Sequence, residues 1–159
     1  MLRAAEAVDR PAFIELLASP EVHVHLGGPR RRDVLERELP EVPGRSPGSF
    51  VVDLDGTMIG QILLRRPAGH RPAAVGKVDL GYLFLPEAWG FGYAVEACTA
   101  ALGWLDRVLP GEPVVLATQT ANTGSMRLAA KLGFTEVERF HAWDAEQWLG
   151  MRSPVTPPR

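Results

Sequence analysis

A single cysteine, Cys98, in a chain of 159 residues leaves no partner for an internal disulfide and no basis for a cysteine-rich metal site. Histidine is sparse too: His23 and His25, one residue apart, make two imidazoles without a third ligand, so no metal is expected and polar surface is the preferred reading. No apolar run approaches the ~20 residues that span a bilayer, and the opening MLRAAEAVDR lacks the apolar core of a secretion signal. A soluble cytoplasmic protein with no membrane partner is the expectation. An excess of either charge is lacking as well, with 17 basic against 19 acidic residues. A formal net charge of −2 supplies no electrostatic drive toward nucleic acid as a main partner. What the chain does have is punctuation, 16 glycines and 14 prolines, most of them where turns belong. At 46% hydrophobic and 23% charged it is an ordinary globular sequence, long enough to bury a sizeable core. No internal repeat is present, and the expectation is one domain over residues 1–152 with an extended or disordered tail over 153–159.

The apolar patterning predicts a definite order of elements. A short edge strand covers 2–5, and a helix opens at Asp9-Arg10-Pro11, with Asp9 as N-cap and Phe13, Leu16 and Leu17 as its buried stripe. Residues 20–27 read as a second short helix stopped by Gly27-Gly28, and 31–39 as a charged helix with Val34, Leu35 and Leu39 inward. Strands at 49–54 and 58–64 flank a tight Asp55-Gly56 turn. A polar loop over 65–74, expected to be mobile, leads to a central strand over 75–85. The helix after it, to residue 108, places Ala94, Ala97, Cys98, Ala101, Leu105 and Val108 on one face. A buried strand follows at 114–119, then a helix over 123–132 that Asn122 caps and Gly133 ends. Strands over 134–143 and 147–152 finish the chain, with Trp143 and Trp148 closing core and sheet. The fold class is α+β, with a mostly antiparallel sheet and one strand–helix–strand unit.

That unit carries the most informative residues, Trp89-Gly90-Phe91-Gly92-Tyr93-Ala94. A glycine-rich turn from a strand into a helix start presents backbone N–H groups and the positive end of the helix dipole to one spot. An anion fits there, typically a phosphate or pyrophosphate. Glycine at 90 and 92 lets the backbone come close to such a ligand. A phosphotransferase is disfavoured because the turn lacks the Lys-Ser/Thr pair of a P-loop.

Two motifs, VDLGYLFLPEAWGFGYAVEA (78–97) and TANTGSMRLAAKLGF (120–134), occur in this order and at this separation. In them the chain resembles the GCN5-related N-acetyltransferases, and within that family the branch containing the ribosomal-protein alanine N-acetyltransferases. Weaker similarity runs through Ser19-Pro20-Glu21-Val22 and the Asp55-Gly56 hairpin, so the likeness covers nearly the whole chain. The resemblance implies the acyl-CoA N-acyltransferase fold, a mostly antiparallel mixed sheet flanked by helices, and acetyl transfer from acetyl-CoA, as cosubstrate, to an amine. It implies that backbone groups of Phe84 and Leu85 pair with the pantetheine arm. The pyrophosphate is then met by the amides of Gly90, Phe91, Gly92, Tyr93 and Ala94, with Trp89 heading the turn. Asn122 bonds the pantetheine arm, and the Ser125 hydroxyl faces the sulfur. Arg127 and Lys131, four apart on one helical face, either meet the CoA phosphates or form a solvated face. The chain departs from the family at Phe91, where Arg, Lys or Gln is usual. The backbone donors survive that change, but a charged contact is lost, and lower cofactor affinity is expected.

Thioester aminolysis needs a neutral amine, a stabilised oxyanion and a path for protons. An α-amino group has a pKa near ~8 and lysine near ~10.4, so an α-amino acceptor asks little of a base. Asp79 is the candidate base, directly or through water; pairing with a neighbouring cation is the equal alternative. Ser125 is the candidate acid for the leaving thiolate, whose pKa near ~8.5 makes it tolerable unaided. The expected reaction is direct attack through a tetrahedral intermediate, with a covalent acetyl-Cys98 route disfavoured. Glu96 suits the helix dipole and is structural. The acceptor, a protein or peptide N-terminus or a small amine such as an aminoglycoside, is not fixed by the sequence. Neither is the choice between monomer and homodimer, nor the acyl-chain preference. The alternative function is a non-catalytic acyl-CoA-binding sensor or interaction module on the same fold.

Overall fold

The computed structural model describes residues 1–66 and 72–153, so the sequence's expectations for the middle of the 65–74 loop and for the tail lie largely outside the described residues. Among the described residues, seven strands follow the hydrogen-bonded order β1-β2-β3-β4-β5-β7-β6, and there are four α-helices. The pairs β1–β2, β2–β3, β5–β7 and β6–β7 are antiparallel and β4–β5 is parallel, an α+β arrangement. The strands are β1 Leu2–Arg3, β2 Ser49–Leu54, β3 Thr57–Arg65, β4 Val78–Phe84, β5 Val114–Gln119, β6 Thr135–Ala142 and β7 Ala145–Arg152. The helices are α1 Arg10–Ala18, α2 Arg32–Glu38, α3 Tyr93–Val108 and α4 Thr123–Lys131. Among the described residues no helix is long and apolar enough to cross a membrane. The chain divides into two compact units, Met1–Leu63 with Tyr82–Ala97, and Leu64–Gly81 with Cys98–Arg159.

In the first unit, Phe13 and Leu16 of α1 pack with Val51 of β2, Met58 of β3 and Ala5. Helix α2 is short, and tertiary contacts hold it. Its Leu35 is fully buried, and the Arg10 guanidinium donates to the carbonyls of Glu36 (2.6 Å), Leu39 (3.2 Å) and Pro40 (3.3 Å) at its C-terminal end. Such donors satisfy carbonyls that a helix end leaves without an internal partner. The β2–β3 hairpin turns on Asp55 (φ 52°) and Gly56 (φ 87°), the left-handed pair of a type I′ turn. Asp53 Oδ1 braces it by accepting from the Gly56 amide at 2.7 Å.

Three expectations for this half differ. Residues 20–27 form turns rather than a helix. The segment has no apolar stripe long enough to offset helix nucleation. Its His23 is buried rather than at the surface, with Nδ1 3.1 Å from the Ser19 carbonyl. Asp9 stands at the N-cap position of α1 as expected but makes no side-chain cap bond; its carboxylate accepts from the Glu6 amide (2.8 Å) and, through both oxygens, from Arg3 (2.7 and 2.8 Å).

In the second unit β5 runs beside β7 over its full length. Helix α3 buries Cys98, Ala101, Leu102 and Leu105, while Val108, expected on that face, is exposed. Leu102 is buried as well, although it was not expected on that face, and burial stops after Leu105. Helix α4 begins with Asn122 Oδ1 accepting from the Ser125 amide (3.2 Å). It ends with the Gly133 and Phe134 amides donating back to Ala130 and Ala129, the bond pair of a Schellman motif. Trp148 is buried, but Trp143 is 81% exposed at the β6–β7 tip and does not close the core. With Asp144 it forms a second left-handed turn pair, φ 52° and 58°.

Arg3 also donates from Nε to Asp53 at 2.6 Å, so one guanidinium joins β1, the start of α1 and the β2–β3 hairpin. Asp9 is 3% exposed, and its bonds to Arg3 hold its carboxyl below the ordinary range. Arg3→Ala leaves that charge buried without its partner, and about 3 kcal/mol of stability should be lost at neutral pH. The depressed carboxyl contributes stability above its unfolded pKa and loses it as pH falls through the folded one. The gap in denaturation midpoint between wild type and variant should therefore shrink on acidification.

Candidate active site

The site is built outward from the end of β4, whose residues are positioned by close approach to β3. A Cβ at Gly60 would lie 2.7 Å from the Leu83 carbonyl oxygen and 2.7 Å from the Phe84 ring, so only glycine fits. Beyond it the Leu85 amide donates to the Ile59 carbonyl at 2.9 Å. Sequence reading passed over Gly60, although a glycine inside an otherwise apolar strand is the available signal for such an approach. Leu85, expected to offer its amide to a ligand, gives it to β3 instead. Strand alternation turns the N–H and C=O of Phe84 to the opposite edge. There the Phe84 carbonyl accepts from the indole Nε1 of Trp89 at 2.9 Å.

That indole bond folds the chain back after the 3-10 turn Pro86–Ala88 and sets the start of the glycine segment. Gly90 (φ +85°) and Gly92 (φ +81°) are left-handed, whereas Phe91 and Tyr93 are not. Alternating hands turn successive N–H groups toward one concavity, an anion-binding nest. Helix α3 begins immediately, its first internal bond running from the Glu96 amide to Gly92 (3.2 Å). Its opening amides, Tyr93 and Ala94 among them, have no partner within the helix's own ladder. A Cβ on Gly90 or Gly92 would meet nothing within 4 Å, so the space above the turn is open. The residues thus fit a diphosphate by donor set, by dipole and by room. The Phe91 and Tyr93 rings stack beside it, centroids 5.6 Å apart, with Phe91 67% exposed.

The second unit holds the remaining candidates. Asp79 lies on β4 in register with Val115 of β5 and is half-buried. Burial pushes its carboxyl above the ordinary aspartate value, against the pull of the Arg65 charge. Asn122 and Ser125 are brought together by the cap, while Arg127 and Lys131 are exposed along α4. Cys98 is fully buried, which pushes its thiol up to about 12 and removes it as a nucleophile at neutral pH.

A family model described as an acetyltransferase (GNAT) domain matches residues 1–135. The chain belongs to the GNAT acetyltransferase family. It is an acetyl-CoA-dependent acetyltransferase, with acetyl-CoA as its cosubstrate. Solved structures agree on the fold. A spermidine N-acetyltransferase from Vibrio cholerae, in complex with CoA and spermine, matches with TM-score 0.75 and 19% identity over 97% of this chain and 95% of that one. An aminoglycoside acetyltransferase in complex with coenzyme A matches with TM-score 0.73 and 17% identity over 96% and 94%. A ribosomal-protein-alanine N-acetyltransferase from Brucella melitensis gives TM-score 0.70 and 14% identity over 96% and 99%. No protein of curated function matches the sequence.

Two variants, one in each unit, test these residues. Gly92→Val forces a branched side chain to positive φ, at about 1–3 kcal/mol of strain, with open space around it. The protein should still fold, and calorimetry should show CoA binding abolished. Asp79→Asn should lower turnover and leave CoA affinity nearly intact; unchanged turnover would remove Asp79 from the chemistry. With the folded carboxyl raised, the folded state holds its proton to higher pH than the unfolded chain, so this group's contribution falls as pH rises through the carboxylate range. The melting temperature of the Asn variant should accordingly gain on wild type at neutral pH and not below the ordinary aspartate pKa.

Proposed function

We propose that this acetyltransferase moves the acetyl group of acetyl-CoA directly to a primary amine, without an acyl-enzyme. The observation that carries the reading is the nest at residues 90–94, open above and set at the N-terminus of α3. In this reading its amides bind the diphosphate and so anchor the thioester. Asn122 has its Oδ1 engaged by the helix cap, and its Nδ2 group donates to the pantetheine amides. The Phe84 amide, on the edge away from β3, is the backbone donor for the pantetheine arm or the oxyanion.

Asp79 takes the proton from the incoming ammonium, directly or through water. Its raised pKa makes the carboxylate a stronger base than an exposed aspartate, and its negative charge favours a cationic acceptor. The amine lone pair then attacks the thioester carbonyl carbon, the tetrahedral adduct collapses with cleavage of the C–S bond, and the extra proton on the new amide nitrogen passes through water or the Ser125 hydroxyl to the departing thiolate. Ser125 donates a hydrogen bond to the departing sulfur. A thiol pKa near ~8.5 makes the thiolate stable enough to leave without full protonation in the transition state. The burial of Cys98 supports the direct route, because no other thiol exists in the chain to carry the acetyl group.

The acceptor class follows from what the neighbours' names share. Spermidine, an aminoglycoside and a ribosomal-protein alanine all present primary amines. We propose the same functional group here, carried by a polypeptide N-terminus or by a small amine. The experiment is acetyl-CoA turnover, read as free-thiol release, with an alanine-initiated peptide, spermidine and an aminoglycoside as acceptors. Thiol release well above hydrolysis with at least one amine, and one acetyl added to that amine by mass, is expected. Tight CoA binding with no release on any of them would leave an acyl-CoA sensor in place of an acetyl-transferring enzyme.

A further inference from the structure

The glycine turn carries a feature that diphosphate binding does not use. Phe91, at its centre, is 67% exposed, and its ring stacks on Tyr93 with an interplanar angle of 28°. A large apolar ring held mostly in water is unfavourable unless something covers it. The stack presents an open π-face within the same six residues whose amides form the nest. The backbone there is fixed by the bond from Trp89 Nε1 to the Phe84 carbonyl, so the rings stand on a positioned segment.

The ligand chemistry makes the match. In coenzyme A the diphosphate is joined to adenosine, so one ribose separates the anchored phosphates from a flat purine. We propose that the Phe91–Tyr93 pair is the platform on which the adenine ring of coenzyme A stacks, replacing a charge contact by a stacking contact. The proposal rests on the reading that residues 90–94 hold the diphosphate. It commits the exposed aromatic pair to one occupant, the purine end of the cosubstrate. A protein partner is the competing occupant, and the test below excludes it or reveals it.

Two properties follow. Stacking of a base on an aromatic side chain is sequence-tolerant and worth enough that truncating the ring should weaken binding roughly tenfold. Phe91 also brings no cation to the site, so affinity for coenzyme A should depend less on salt than in a variant with lysine there.

The test uses 1,N6-etheno-coenzyme A, whose fluorescent purine reports stacking directly, with wild type, Phe91→Ala, Phe91→Trp and Phe91→Lys. Because the side chain is exposed, all should fold, checked by far-ultraviolet circular dichroism. The expected result is a roughly tenfold loss of affinity in Phe91→Ala. Phe91→Trp should keep near-wild-type affinity and quench the bound etheno ring, and Phe91→Lys should bind with a steeper salt dependence. Affinity in Phe91→Ala within about twofold of wild type, or equal emission from the ligand bound to Phe91→Ala and Phe91→Trp, overturns the platform while leaving the acetyl-CoA reading in place and the ring pair to a protein partner. Absence of coenzyme A binding to the wild type overturns both.

Discussion

Two glycines at positive φ, separated by one residue of ordinary hand, set the direction of every amide at the start of α3. Reversing the hand at alternate residues turns consecutive N–H groups of a short backbone segment to the same side. The helix dipole adds to those donors, because α3 begins at the next residue. The rest of the first unit serves this arrangement. Gly60 lets β3 approach the end of β4, Ile59 receives the Leu85 amide, and the Trp89 indole closes the turn onto Phe84. Disturbing any of these moves the origin from which the nest is measured.

The chemistry asked of the protein is modest, and the side chains reflect that. A thioester is already activated, so the proposed reaction asks only for orientation, a base of adjusted strength and a donor near the sulfur. Asp79 has its proton affinity set by burial on a central strand, a more constant environment than a surface loop would give. Cys98, the residue whose chemistry would most easily compete, is kept unreactive by complete burial.

Phe91 stands at the centre of the nest with its side chain outside the row of backbone donors. The nest's donors are main-chain, so the side chain at its centre is free to vary in chemistry. The residue there is an exposed apolar ring rather than a charged group. That ring stacks on Tyr93 and keeps one face in solvent.

Local chemistry determined much of this protein from the amino-acid order alone. The Asp55-Gly56 hairpin, the Asn122 cap, the Gly133 stop and the Gly90–Gly92 turn are all written within a few residues, because backbone hand and short-range hydrogen bonds depend on immediate neighbours. The GNAT motifs were legible for the same reason: nest and cap are local structures. Only tertiary structure decided what distant partners control. Asp9 looked like a cap and became half of an ion pair with Arg3, itself tied to Asp53 some fifty positions away. Trp143 and His23 exchanged their expected surroundings, since neither hydrophobicity nor polarity says which segment will cover a residue. Leu85 lost its amide to Ile59, and Asp79 gained a raised pKa, through strands that meet only when the sheet forms. Burial and electrostatics depend on everything packed around a group, and that information is spread across the chain.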